Sequence, residues 1–155
     1  MQKFNSLTDT TIDTKLENLL LQRKAPLSEE GMKKVLEELT LYMAGDRRFY
    51  IAFYPKKEVI TNDYIQASDI DRVDLMQATD DEKYLPVFST LEGLQEFKPT
   101  LQKDEQIYIV TKQDLLDFLN INTKVAAAVL NPLVDDLLLY RMQLQNLIQV
   151  QAEQL

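Results

Sequence analysis

The sequence predicts an α+β fold, a single mixed β-sheet packed with helices and preceded by an N-terminal helical segment. Three observations predict it. A strand-like run passes straight into a helix-like run over residues 84–97, and the arrangement recurs from Ile107, giving repeated strand-to-helix units. The nearly continuous apolar run over residues 125–130 reads as a central strand, ended by Asn131-Pro132. The 155 residues are 45% apolar and 27% charged, which suits one filled core and opposes global disorder.

Taken in order, Leu16, Leu19 and Leu20 form a short apolar stripe after a Thr/Asp-rich lead. Pro26 breaks this helix and Ser28 caps a second. Glu29 and Glu30 stand on its first turn, where unpaired backbone N–H groups favour negative charge. Met32, Val35, Leu36, Leu39, Tyr42 and Met43 follow at helical spacing until Gly45-Asp46. The segment over about residues 1–35 reads as a helical extension to one domain spanning residues 1–155.

Residues 48–54 are aromatic and β-rich, with a turn at Pro55-Lys56. Phe49 and Phe53 share one face of this strand, Tyr50 and Tyr54 the other. Residues 58–66 leave room for a brief strand. Val73, Leu75 and Gln77 alternate with Asp74 and Met76 as in a strand with one wetter face, and residues 79–83 read as a hairpin loop. Residues 84–88 form the next strand, with Ser89 as helix cap and Glu92 as its reciprocal partner. Leu94 and Phe97 face inward, and Gly93 weakens the helix. Residues 107–110 repeat the pattern. Here Thr111 caps, Asp114 answers it, Val110 reaches Leu115, and Leu116 and Leu119 complete the stripe. Two readings fit the end of the chain: one long helix through Val134, Leu137, Leu138, Leu144, Leu147 and Ile148, or a short strand at 137–140 followed by a helix from Arg141.

Composition excludes several functions. Cysteine and histidine are both absent, which removes disulfides, zinc–thiolate sites, thiol nucleophiles and the commonest neutral-pH proton shuttle. With 17 Lys+Arg against 25 Asp+Glu the net charge is -8, unsuited to nucleic acid or an anionic membrane and compatible with a basic protein partner. No apolar run approaches the roughly 20 residues that cross a bilayer, and the opening residues lack the apolar centre of a signal peptide. A cytoplasmic protein is expected.

No catalytic, cofactor-binding or metal-binding residues are assigned. Ser89 and Thr111 read as caps, with no histidine to activate either hydroxyl. Asp69, Asp71, Asp74, Asp80, Asp81 and Glu82 lack the glycine-containing order of an EF-hand and read as a solvated rim. The candidate interaction surface is Tyr50, Tyr54, Asn131 and Pro132. An exposed tyrosine face couples apolar area to a hydroxyl, and an Asn-Pro turn at a strand end can shape a binding edge.

Several of these segments together resemble the N-terminal domain of the SseB (enhanced serine sensitivity) family. The likeness lies in Tyr-Leu-Pro-Val-Phe-Ser-Thr-Leu-Glu at 84–92, the Val110-Thr111 turn, and Val-Leu-Asn-Pro at 129–132 followed by Leu-Leu-Leu at 137–139. The helix ending near Met43 and the strand at 49–55 add to it, so the likeness covers roughly residues 36–148. It implies a compact α+β domain of unassigned biochemical activity, often found in bacterial proteins, and favours the short strand at 137–140. Full-length relatives often carry a second, C-terminal domain. Leu133-Val134 stand where the family usually places glycine after Asn-Pro. The expected function is a noncatalytic protein-interaction or regulatory module, with homodimerisation through the amphipathic tail as one possible use. The alternative is a small-molecule binder or carboxylate-dependent enzyme.

Overall fold

The computed structural model describes residues 1–154. Its elements are β1 (Gln2–Lys3), α1 (Thr14–Arg23), α2 (Glu29–Met43), β2 (Phe49–Pro55), β3 (Ile70–Arg72), β4 (Met76–Gln77), β5 (Lys83–Val87), α3 (Leu91–Phe97), β6 (Gln106–Val110), α4 (Lys112–Ile121), β7 (Val125–Leu130), β8 (Leu137–Leu139) and α5 (Arg141–Glu153).

The strands form two four-stranded sheets in place of the expected single mixed sheet. One, ordered β1-β6-β2-β3, is antiparallel throughout. The other, ordered β4-β5-β7-β8, is mixed, with β5 and β7 parallel. One antiparallel bridge joins the sheets: the Tyr50 N–H donates to the Phe88 carbonyl (2.8 Å) and the Phe88 N–H to the Tyr50 carbonyl (2.9 Å). Backbone groups alternate in direction along a strand, so the next residue of β5 on that edge is Pro86. Proline has no N–H to continue the ladder. The sheets therefore meet at one rung and diverge.

Local chemistry explains most elements. Ser28 Oγ accepts the Gly31 N–H at the start of α2, and Thr111 and Asp114 form the expected reciprocal box at the start of α4. The end of the chain takes the strand-then-helix arrangement, β8 then α5. The strand-to-helix unit therefore occurs three times, as β5–α3, β6–α4 and β8–α5. Other expectations shift. Thr90, not Ser89, caps α3, with its Oγ1 accepting the Gly93 N–H at 3.0 Å. The strand expected at residues 73–77 is shortened to Met76–Gln77, and a separate strand lies earlier at Ile70–Arg72. Residues 58–66 contribute a 3-10 turn and a bridge from Tyr64 to Gln2. β1 matched no sequence pattern, because two residues carry no periodicity.

The main core gathers Leu16, Leu19 and Leu20 of α1 with Leu39 and Met43 of α2, Phe49, Ile51 and Phe53 of β2, and Leu144 and Leu147 of α5. Phe53 stacks on Tyr108 with ring centroids 4.3 Å apart. A smaller cluster holds Tyr50, Phe88, Leu94, Ile107 and Ile109. Two cations are placed by fold geometry. Buried Lys112 donates to the Gly45 carbonyl just beyond α2, whose last turn has no basic residue of its own. Arg141 donates to the carbonyls of Leu119, Asn122 and Ala126, satisfying the end of α4. Burial pulls the Lys112 ammonium below its usual range, with nearby Asp46 opposing the shift.

Because β5 and β7 are parallel, their carboxyl ends open on the same side of the sheet, at Phe88-Ser89 and at Asn131. Such ends are where open α/β sheets leave crevices.

Candidate functional site

Asn131 stands at the end of β7 with φ at 52°, in the left-handed region that asparagine tolerates better than most residues. Its N–H donates to the Val87 carbonyl at 2.8 Å, extending the β5–β7 pairing by one step. Its carbonyl accepts the N–H groups of Val134, Asp135 and Asp136, which folds the chain back on itself. Pro132 supports the turn, since its missing N–H costs nothing there. Leu133 and Asp136 also have positive φ, 67° and 48°. Asp136 Oδ1 accepts the Leu133 N–H at 2.7 Å and helps hold that conformation.

The Asn131 side chain knits this turn to the end of β5. Oδ1 accepts the Ser89 N–H at 2.9 Å, and Nδ2 donates to Ser89 Oγ (2.8 Å) and to Asp135 Oδ2 (2.7 Å). Ser89 Oγ in turn donates to Glu17 Oε1 of α1 at 2.6 Å. Lys24 pairs with Asp135 Oδ1 at 2.9 Å, and Arg23 donates to the Asp135 carbonyl at 2.9 Å. The result is a buried polar network that fastens α1 across two strand ends. Such a network stabilises only when its members are paired, and here each of these groups has a partner.

Two concavities flank Ser89. The first is a cleft of about 360 Å³ between α3 and the 131–136 turn, with Asn131 and Pro132 in its wall. Phe88, Phe97, Leu133 and Val134 give it an apolar lining, and Glu17, Glu92 and Glu96 give it carboxylates. The second is a more polar hollow of about 450 Å³, lined by Tyr50, Asp9, Asp13, Asp46, Arg47 and Arg48 among others. Burial, with Asp9 nearby, raises the Tyr50 phenol above its ordinary value, so the hydroxyl is neutral at physiological pH.

Three of the four sequence-predicted surface residues thus line the two concavities beside Ser89: Tyr50 the polar hollow, and Asn131 and Pro132 the cleft. Tyr54 does not join them. It lies buried at the far end of β2 with the Arg72 guanidinium 4.1 Å over its ring. Tyr50 is also buried, so neither tyrosine presents an open aromatic face. Sequence reasoning missed Glu17, Leu133, Val134 and the linking role of Ser89. The available signal was Leu133-Val134 itself, a bulky pair directly after a turn-forming Asn-Pro.

Leu133 and Val134 are 77% and 65% exposed. A left-handed backbone costs a branched side chain about 1–2 kcal/mol, whereas glycine adopts it freely. Leu133→Gly should therefore stabilise the fold. Glycine's greater loss of chain entropy offsets part of the gain, leaving roughly 0.5 kcal/mol, readable as a raised urea midpoint.

The chemistry open to this site is limited by its hydrogen bonds. Ser89 Oγ already donates to Glu17 and accepts from Asn131. The acidic residues of 69–82 are dispersed: Asp69 accepts the Gln66 N–H, Asp74 pairs with Lys98, and Asp80 accepts the Glu82 N–H. Among the described residues, no group of three or more acidic side chains is placed to hold a metal ion. Nor is any helix long and apolar enough to cross a membrane. No protein-family model, curated protein or solved structure matches the chain.

Proposed function

We propose that the chain is a noncatalytic protein-interaction module of the cytoplasm whose contact surface is the cleft between α3 and the 131–136 turn. The observation that carries this reading is Leu133, an exposed branched side chain held at positive φ on the rim of an apolar-lined cleft. Strain of that kind persists when the surrounding structure enforces it, and it concentrates at binding surfaces. The polar groups beneath the rim are already engaged with one another, which suits a rigid platform better than a reacting centre. The net charge of -8 supports a basic partner over nucleic acid or an anionic membrane. The likeness to the SseB N-terminal domain supports the reading at the level of strands and turns, and brings no activity with it.

A photoreactive residue at Val134 tests the proposal inside cells. A second, at Met142, serves as the control: it is also exposed, but lies at the opposite end of the β7–β8 pair. A discrete protein adduct from position 134 is expected, absent from position 142 and lost on Leu133→Ser. Equal labelling from both positions, or none from 134, would overturn the assignment.

A further inference from the structure

We infer that the occupant of this cleft is an extended segment of a partner protein that places a basic side chain, arginine or lysine, beside an apolar one; this rests on the interaction reading above. Apolar and acidic side chains both line the cleft. Leu133 and Val134 project from the turn, and Phe97, itself 38% exposed, packs at 5.3 Å against Phe88. Together they offer an apolar bed. Glu92 and Glu96 lie on the α3 wall that faces Leu133 and Val134, one helical turn apart, so their carboxylates share a face.

The charge on that wall is uncompensated. No lysine or arginine lines the cleft, and Arg23 and Lys24, at the end of α1, are committed to Asp135. Neither Glu92 nor Glu96 joins an ion pair among the described residues. Like charges at this spacing destabilise a helix. Glu96 also sits in the last turn of α3, where exposed carbonyls already carry negative potential and no basic residue stands; Lys98 at the cap is engaged with Asp74 and Glu105. A bound cation relieves both repulsions, so the wall is more favourable occupied than empty. An apolar residue beside that cation covers Leu133 and Val134, which an isolated metal ion or small amine would leave wet.

The test is selection of short random peptides on the full chain, followed by anisotropy titration of the enriched sequences. Enriched peptides are expected to carry Arg or Lys next to an apolar residue. The double variant Glu92→Gln, Glu96→Gln should weaken their binding about tenfold, a loss large enough to separate from scatter. Rising salt should weaken wild-type binding in parallel. Glu29→Gln with Glu30→Gln, an acidic pair on α2 away from the cleft, controls for the overall negative field and should leave binding unchanged.

No enrichment, enrichment of acidic or uncharged peptides, or equal loss in the α2 control would overturn the inference. So would arginine amide displacing the peptides as well as they displace each other, since the site would then read only a small cation. The failures separate cleanly. If the position-134 adduct survives while the peptides show no basic preference, the interaction reading stands and the stated chemistry falls. If both are lost, the cleft is not a contact surface.

Discussion

Phe53→Ala is expected to cost about 3–5 kcal/mol, the range for truncating a buried aromatic. Phe53 is fully buried, and its ring stacks on Tyr108 within 11° of parallel. Truncation therefore removes its own contacts and leaves one face of Tyr108 without a partner. Small domains are stable by only about 5–15 kcal/mol, so a large share of the folded state's margin would go. Urea denaturation should show a much lower midpoint. Tyr108→Phe is the companion measurement. It keeps the stack and loses only a long hydrogen bond to Gln106 (3.2 Å), so its effect should stay near 1 kcal/mol. Similar losses for the two variants would mean that the stack contributes little.

The second large effect belongs to Asn131. Asn131→Ala removes three side-chain hydrogen bonds at once and leaves the Ser89 N–H and one Asp135 oxygen without their partner. Each buried group left unsatisfied costs about 1–3 kcal/mol, and alanine at positive φ adds roughly 1 kcal/mol. A total of about 3–7 kcal/mol is expected, read from the same denaturation curves. Asn131→Gly divides this sum: glycine accepts the backbone conformation and forfeits only the side-chain bonds. Recovery of about 1 kcal/mol relative to alanine would identify the conformational part. If all three proteins were equally stable, the network would not be holding the turn.

These two residues differ in how visible they are from sequence. Phe53 was legible because strand periodicity puts it with Phe49, and the structure buries both. The same periodicity pairs Tyr50 with Tyr54 but says nothing about position along the strand, so only Tyr50 reaches a concavity beside Ser89. Asn131 was legible as a turn former, and its partners were not: Ser89 lies 42 residues away and is brought alongside only by parallel pairing. Two adjacent hydroxyl residues could each cap α3, and the tertiary bonds of Ser89 decide in favour of Thr90. Pro86 stood in plain view, but its effect on the sheet appears only once Phe88 is seen to face Tyr50. The two readings of the final segment were equally periodic. Pairing of Leu137–Leu139 with β7 selects between them, and pairing is not a local property.

The fastening of α1 also bears on how the molecule assembles and opens. Its polar links close long chain loops, 72 residues between Glu17 and Ser89 and 112 between Arg23 and Asp135. Contacts so distant in sequence are entropically the slowest to form, whereas the β7–β8 hairpin and the α4 cap need only neighbours. The helix should therefore dock late in folding, with Leu16, Leu19 and Leu20 holding it in the core once seated. Each detachment takes Glu17 from one wall of the cleft and both cations from Asp135, so the platform exists only while the helix is seated. The readiness of the cleft to receive a partner then becomes a population, set by the docking equilibrium of residues that do not belong to the turn itself.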